Sequence, residues 1–341
     1  MELHDRANFM CCPSWLLKKL PSNVKCDTNL WNSEESQLIR KSVTDGSYKY
    51  CDENQCPYLS QLINFGNSGN IGPLTHISEV DLKIKKHIDE DNMVLDYGPE
   101  MIQLSFDRTC NYHCPSCRVS LYTADFKKIK EVESKIEEVV ENYGKSITHL
   151  YITGSGDPFI SVGFRNFLRN FDSTKFPNLN VIHLHTNASR WNKEMWETMK
   201  PIWNYVKSCE ISIDAGTKET YENETRLGGN WDNLINNLNF ISTLPQLKLV
   251  KTSFVVQTSN FKEMDIFLKL MKSIFKKKAQ IFFGKITNWG TYGEEEFKNH
   301  KIWDPTHPKH LEFLNEFTKV HGDPQVFHNL QEFIPTKKTI I

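Results

Sequence analysis

The stretch MIQLSFDRTCNYHCPSC, residues 101–117, decides the reading of the chain. Its first six residues alternate and are rich in apolar side chains, as a β-strand requires. It then breaks into a polar loop carrying Cys110, Cys114 and Cys117, at spacings of four and three. Downstream of it the same texture recurs. Strand-like runs stand at 147–153, 180–186, 209–214, 249–256 and 280–286, and helical periodicity fills the gaps, as in KKIKEVESKIEEVVENY, WDNLINNLNFISTL and FKEMDIFLKLMKSIF. Six strands separated by helices predict an α/β fold built on a parallel βα repeat. In such a repeat the loops after the strands carry the chemistry, so the three cysteines occupy a functional address.

Composition limits what that chemistry is. The chain has 341 residues, 39% of them hydrophobic and 24% charged, enough for one large core or a core with a satellite. With a formal net charge of -1 it has no general positive field, which disfavours nucleic acid as the main partner. No run approaches the roughly 20 apolar residues of a membrane span. The opening MELHDRANFMCC has acids and a histidine where a signal peptide is apolar, so a cytoplasmic location is expected. Disulfides are rare in that compartment, and clustered thiols there more often bind metal. Eight of the nine cysteines fall within the first 117 residues: Cys11, Cys12, Cys26, Cys51 and Cys56, then the triplet. An odd, front-loaded count fits two metal centres better than paired disulfides.

Three thiolates without a local fourth ligand suit an iron-sulfur cluster with one iron free of protein ligands. A structural zinc site is the alternative if His113 is recruited. The pattern C-x3-C-x2-C on the loop after the first strand of a βα repeat resembles the signature of the radical S-adenosylmethionine (SAM) enzymes. That resemblance implies a partial (β/α)6 TIM-type barrel, a [4Fe-4S] cluster on the triplet, SAM, and an electron donor such as flavodoxin or ferredoxin. It extends over about residues 100–290. After the second strand, Ser155, Gly156, Asp157 and Pro158 resemble the family's Gly-Gly-Glu-Pro segment, with Ser for the first Gly and Asp for Glu. HLHTNAS resembles its Thr-Asn-Gly turn, with Asn187 matching and Ala188 replacing Gly. ISIDAGTKETYENETR resembles its Ser-x-Asp segment followed by an Arg, supplying Ser212, Asp214 and Arg226. Gln257 resembles a polar residue near the end of the fifth strand, and Asn288 follows the sixth, where it is expected to close over the nucleoside. All nine residues, Ser155, Gly156, Asp157, Asn187, Ser212, Asp214, Arg226, Gln257 and Asn288, are therefore expected at the cofactor. No catalytic side chain is singled out.

Strand alternation places Glu210, Ser212 and Asp214 on one face and Cys209, Ile211 and Ile213 on the other. The polar set is expected inside the barrel.

The N-terminal cysteines resemble the auxiliary-cluster region called SPASM, or its shorter twitch form, placed ahead of the barrel instead of after it. This implies a second [4Fe-4S] cluster on Cys12, Cys51 and Cys56, with Cys11 or Cys26 as fourth ligand; zinc is the alternative. The expected organisation is an auxiliary region at 1–64, a linker at 65–99, the barrel at 100–290 and an extension at 291–341. The implied activity is reductive cleavage of SAM and hydrogen abstraction from a peptide or protein. Dehydrogenation or epimerisation of a sugar or aminocyclitol is the second reading, and a non-catalytic iron-sulfur or zinc protein the third.

Overall fold

The computed structural model describes residues 1–4, 8–17, 29–53, 56, 59, 82–330 and 333. The chain divides into two compact units. The first comprises Met1–Phe106, Ser134–Leu150 and Ser173–Leu179, and the second Asp107–Glu133, Tyr151–Asp172 and Asn180–Ile341.

In the first unit, β1 (Glu2–His4) pairs antiparallel with β2 (Asn8–Phe9) and parallel with β3 (Met101–Ser105). The terminal ammonium of Met1 donates to the Met101 carbonyl at 2.9 Å, which sets the register. An α-helix spans Glu34–Thr44. Ser33 caps it by accepting from the Ser36 N–H, and Glu34 and Glu35 complement the positive end of the helix dipole. Asn32 does something else: its amide exchanges hydrogen bonds with the backbone of Leu95 at 2.7 and 2.9 Å. Arg40 lies 4.5 Å over the Trp31 ring and donates to the Met93 carbonyl at 2.9 Å. Within the expected linker, Leu82–Asp89 is helical, and 60–81 lies outside the described residues.

The chain passes from the first unit to the second within β4 (His149–Ile152). The second unit then holds β5 (Val181–Thr186), β6 (Val206–Ser212), β7 (Leu249–Val256), β8 (Ala279–Lys285) and β9 (Val326–His328). Each pairs in parallel with the next. Among the described residues β2 pairs only with β1 and β9 only with β8, so the strands do not close. The fold class is the expected one: α/β, an unclosed array of parallel strands of the partial TIM-type kind. No described helix is long and apolar enough to cross a membrane.

One face of β5 to β8 is apolar and covered by helices. Ile182, Leu184, Cys209, Ile211, Val250, Phe254, Ile281 and Phe283 are all buried. The helix Met264–Phe275 sends Phe267 against Phe254 and Phe283, with ring centroids 5.0 and 6.1 Å apart. Cys209 belongs to this face; it is a buried thiol whose pKa burial pushes up. The opposite face, as alternation requires, carries His183, His185, Ser208, Glu210, Ser212, Lys251 and Ser253. Substituting Phe254→Ala empties the centre of the apolar layer and is expected to cost about 3–5 kcal/mol. Chemical denaturation of wild type and variant measures it.

Candidate functional site

The chain leaves β3 through Asp107, whose buried carboxylate organises the next turns. It accepts from the Thr109 N–H at 2.9 Å and from the Ser161 hydroxyl at 2.5 Å, while Ser161 in turn caps the helix Val162–Arg169. The loop is then drawn closed. Thr109 Oγ1 accepts from the Ala124 N–H at 3.0 Å and the Cys110 N–H donates to the Tyr122 carbonyl at 3.2 Å. Between these ties lie Cys110, Cys114 and Cys117. All three line one cavity.

Each sulfur has an N–H donor at 3.6 Å: Asn187 Nδ2 on Cys110, Arg226 Nη1 on Cys114 and Arg118 Nη2 on Cys117. Burial pushes the Cys114 thiol up to about 11, against the pull of the Arg226 guanidinium. Burial raises Cys110 too, helped by Asp157 and opposed by Arg118. Metal binding by such thiols releases their protons, and the three donors then offset the charge left behind. Among the described residues no three Cys, His, Asp or Glu side chains form a single-ion site. A four-iron cluster has a separate iron for each thiolate, so it does not ask its ligands to converge on a point.

The loop after β4 presses against the triplet loop. A Cβ on Gly156 would stand 2.4 Å from the Asp107 carbonyl oxygen and 2.7 Å from that of Thr109, so only glycine fits. The Ser155 carbonyl accepts from Arg118 Nη2 at 3.1 Å. Asp157 is fully buried. Its carboxylate accepts from the Phe159 N–H at 2.9 Å, the Thr186 hydroxyl at 2.7 Å and the Asn187 N–H at 2.8 Å. Burial dominates and raises its pKa, with those donors acting in the opposite sense. Asp157 is thus on the cavity wall with its oxygens already engaged by the chain. Asn187 follows directly, and Ala188 takes φ of +58°, the conformation glycine supplies in the resembling turn.

Asp214 lies behind the wall. It also has φ of +58°, which ends the strand alternation. It accepts from the Val255 N–H at 2.7 Å and pairs with Arg226 Nη2 at 2.6 Å, aligning the guanidinium that reaches Cys114. Arg226 Nε is buried and has no hydrogen-bond partner among the described residues.

Ser155, Gly156, Asp157, Asn187, Ser212 and Arg226 therefore meet the three cysteines around one cavity. Gln257 and Asn288 are not on its wall. Gln257 is buried at a turn, where its N–H donates to Asn260 Oδ1 at 2.9 Å. Asn288 spends its side chain on its own loop, accepting from the N–H groups of Gly290 and Thr291 at 3.0 and 3.1 Å. The sequence reading missed Arg118, Tyr112, Thr186 and His185, which do line the cavity. Alternation was the available signal for His185: it shares the inward face of β5, and its Nε2 lies 2.9 Å from Ser212 Oγ.

In the first unit, Cys12–Leu17 and Tyr50–Asp52 are zipped together: the Leu17 N–H donates to the Tyr50 carbonyl and the Asp52 N–H to the Trp15 carbonyl, both at 2.8 Å. This gathers Cys11, Cys12, Cys51 and Cys56. Burial and the proximity of the other three push the Cys11 thiol up to about 12. Cys26 lies outside the described residues. No disulfide joins any two of the eight described cysteines.

Residues 104–271 match the family model described as the Radical SAM superfamily. A comparison with curated protein sequences gives no match. Among solved structures the chain is similar to Streptococcus suis SuiB bound to precursor peptide SuiA, at 14% identity and a TM-score of 0.46 over 86% of this chain and 62% of that one. For SuiB bound to S-adenosylmethionine the values are 15%, 0.47, 84% and 59%. For TYW1 with a lysine-pyruvate adduct bound they are 16%, 0.37, 61% and 74%. The chain thus spans about 62% of the length of SuiB in its peptide complex.

Glu210, on the inward face, gives a pH prediction. Burial pushes its carboxyl up, but His185, Lys251 and Ser253 outweigh burial and bring it down to about 2. Its charged form therefore stabilises the fold above the unfolded value of about 4.3, and that contribution is lost as pH falls through the folded value. The stability difference between wild type and Glu210→Gln is expected to shrink between those limits, measured by urea denaturation at successive pH values.

Proposed function

Residues 104–271 form a radical SAM domain, and from that premise we propose that the chain is a radical SAM enzyme acting on a peptide or protein, with two iron-sulfur centres. The observation that carries the first centre is the set of three thiols on one loop, each met by an N–H donor from Asn187, Arg226 or Arg118. Cys110, Cys114 and Cys117 hold a [4Fe-4S] cluster. When bound, that cluster and SAM supply one-electron reductive cleavage to a 5'-deoxyadenosyl radical able to abstract hydrogen from carbon.

The chain's own residues orient and neutralise. Arg226 offers its orphaned buried Nε–H, a donor suited to a carboxylate such as that of SAM. Ser155 and Gly156 bring backbone close to the cavity, and Ser212, held by His185, presents a hydroxyl to it. Asp157 and Asp214 act as positioning residues, the first through Asn187 and the second through Arg226. The second centre is an auxiliary [4Fe-4S] cluster on Cys12, Cys51 and Cys56. Cys11 is its fourth ligand, supported by the closeness of these four thiols. Flavodoxin or ferredoxin is the class of electron donor such chemistry takes. The auxiliary region that the N-terminal thiols resemble occurs in peptide-modifying enzymes and also in dehydrogenases and epimerases of sugars and aminocyclitols, which are the second reading.

Anaerobic reconstitution tests both centres. Iron and sulfide are expected to approach about eight atoms each per chain and to fall by about half in the Cys110, Cys114, Cys117 triple Ala variant, as two four-iron clusters require. That variant is also expected to make no 5'-deoxyadenosine from SAM and dithionite. Wild-type iron near half that level with stoichiometric zinc contradicts the auxiliary cluster, and cleavage retained in the triple variant contradicts the first.

A separate prediction concerns Asp157. Asp157→Ala strands three buried donors and is expected to cost about 1–3 kcal/mol or more. It is also expected to weaken SAM binding through the displaced Asn187. Denaturation together with equilibrium SAM binding measures the two effects; unaltered affinity removes Asp157 from the positioning set.

A further inference from the structure

The side chains that β5, β6 and β7 turn away from the helices form a group of their own, one alternation step before Ser212. Parallel register sets His183 beside Ser208, Glu210 beside His185 and Lys251, and Ser212 beside Ser253. The contacts follow from that register. His183 Nδ1 lies 2.8 Å from Ser208 Oγ, and Lys251 Nζ 3.0 Å from Glu210 Oε2. The Ser253 hydroxyl donates to Glu210 Oε1. The Lys251 ammonium also stands 4.4 Å over the Phe282 ring, a second restraint on its position.

Closed barrels of this class fill the interior with layers of branched apolar side chains. Here the corresponding layer is ionic and reachable by solvent: the Lys251 side chain is 31% exposed and that of Glu210 17%. Its charges and hydrogen-bonding capacity say what it can receive. Lys251 is the cation of the group and Glu210 its one carboxylate. His183 is neutral at neutral pH: burial, then His185, hold its pKa down to about 4, with Lys251 acting in the same direction and Glu210 opposing. Lys251 has three N–H donors, and one oxygen of Glu210 engages it.

We propose that this group is a substrate subsite in which Lys251 receives an anionic group, a carboxylate or a phosphate, that takes the place of Glu210 as its partner. The subsite rests on the reading that the adjoining cavity, which shares His185 and Ser212, is where the radical is generated.

Calorimetric titration of the anaerobically reconstituted full-length protein with inorganic phosphate and, separately, with acetate tests it, and the anion that binds tells the two sources apart. Saturable binding at one site per chain is expected for at least one of them. Lys251→Met is expected to weaken it roughly tenfold or more, as loss of a charge-assisted hydrogen bond implies, and Lys251→Arg to retain it. Glu210→Gln separates a ligand site from a structural ion pair. Removing the competing carboxylate tightens anion binding if Lys251 is the receptor. No saturable binding of either anion, wild-type affinity in Lys251→Met, or weaker binding in Glu210→Gln overturns the subsite. Iron content checks that each variant has folded. Formation of 5'-deoxyadenosine is followed separately without added anion. A wild-type protein that binds the anion but makes none refutes the radical chemistry and leaves the anion site standing, whereas cleavage without anion binding refutes the subsite alone.

Discussion

The site depends on one buried carboxylate. Asp157 accepts from the hydroxyl of Thr186 and the N–H of Asn187 in the loop after β5, and from the Phe159 N–H in its own loop, while its N–H donates to the Thr109 carbonyl of the cysteine loop. A single residue therefore ties three loops to one another. An unpaired carboxylate at that depth is expensive, and three convergent donors are what make its burial tolerable. Gly156 supplies the other half of the constraint, because any side chain there would collide with the carbonyls that the tie brings close.

Given that tie, the cysteine loop has little freedom left, and the groups around it divide the electrostatic work. Arg118 and Arg226 bring positive charge to Cys117 and Cys114, and Asn187 brings a neutral donor to Cys110. Asp214 keeps Arg226 aimed, and its left-handed backbone is what lets its carboxylate reach both Arg226 and the Val255 N–H. Such donors lower the electron density on thiolates and so set the potential of an attached cluster. The inward face of β5 to β7 continues the polar lining with Glu210 and Lys251. A closed barrel would have to fill that layer; an open one leaves it available to a ligand.

The N-terminal thiols follow a different logic. They come together because the two short segments Cys12–Leu17 and Tyr50–Asp52 hydrogen-bond to each other, not because a long regular element positions them. With few apolar residues to bury, a region of this kind would gain stability from the metal centre proposed for it, since binding to the folded state alone shifts the folding equilibrium.

What the sequence determined by itself is the set of elements and the address of the chemistry. Strand runs such as 249–256 coincide with β7, because a buried parallel strand needs an uninterrupted apolar face, and that leaves a local signature. The cysteine loop was legible for the same reason: its spacing is local. So was the facing of Cys209 and Ser212, since alternation is a property of the strand alone. The short β1 and β9 were not, because a three-residue strand is created by the neighbour it pairs with. Only the tertiary structure decided what each polar residue does. Asp157 and Asp214 read as direct cofactor contacts but hold Asn187 and Arg226, Asn288 is consumed by its own turn, and Arg118 reaches a sulfur that its position beside Cys117 alone does not guarantee. Motif spacing says which residues arrive at a strand end; which hydrogen bond each one makes depends on the loops of other strands, and those meet only when the chain has folded.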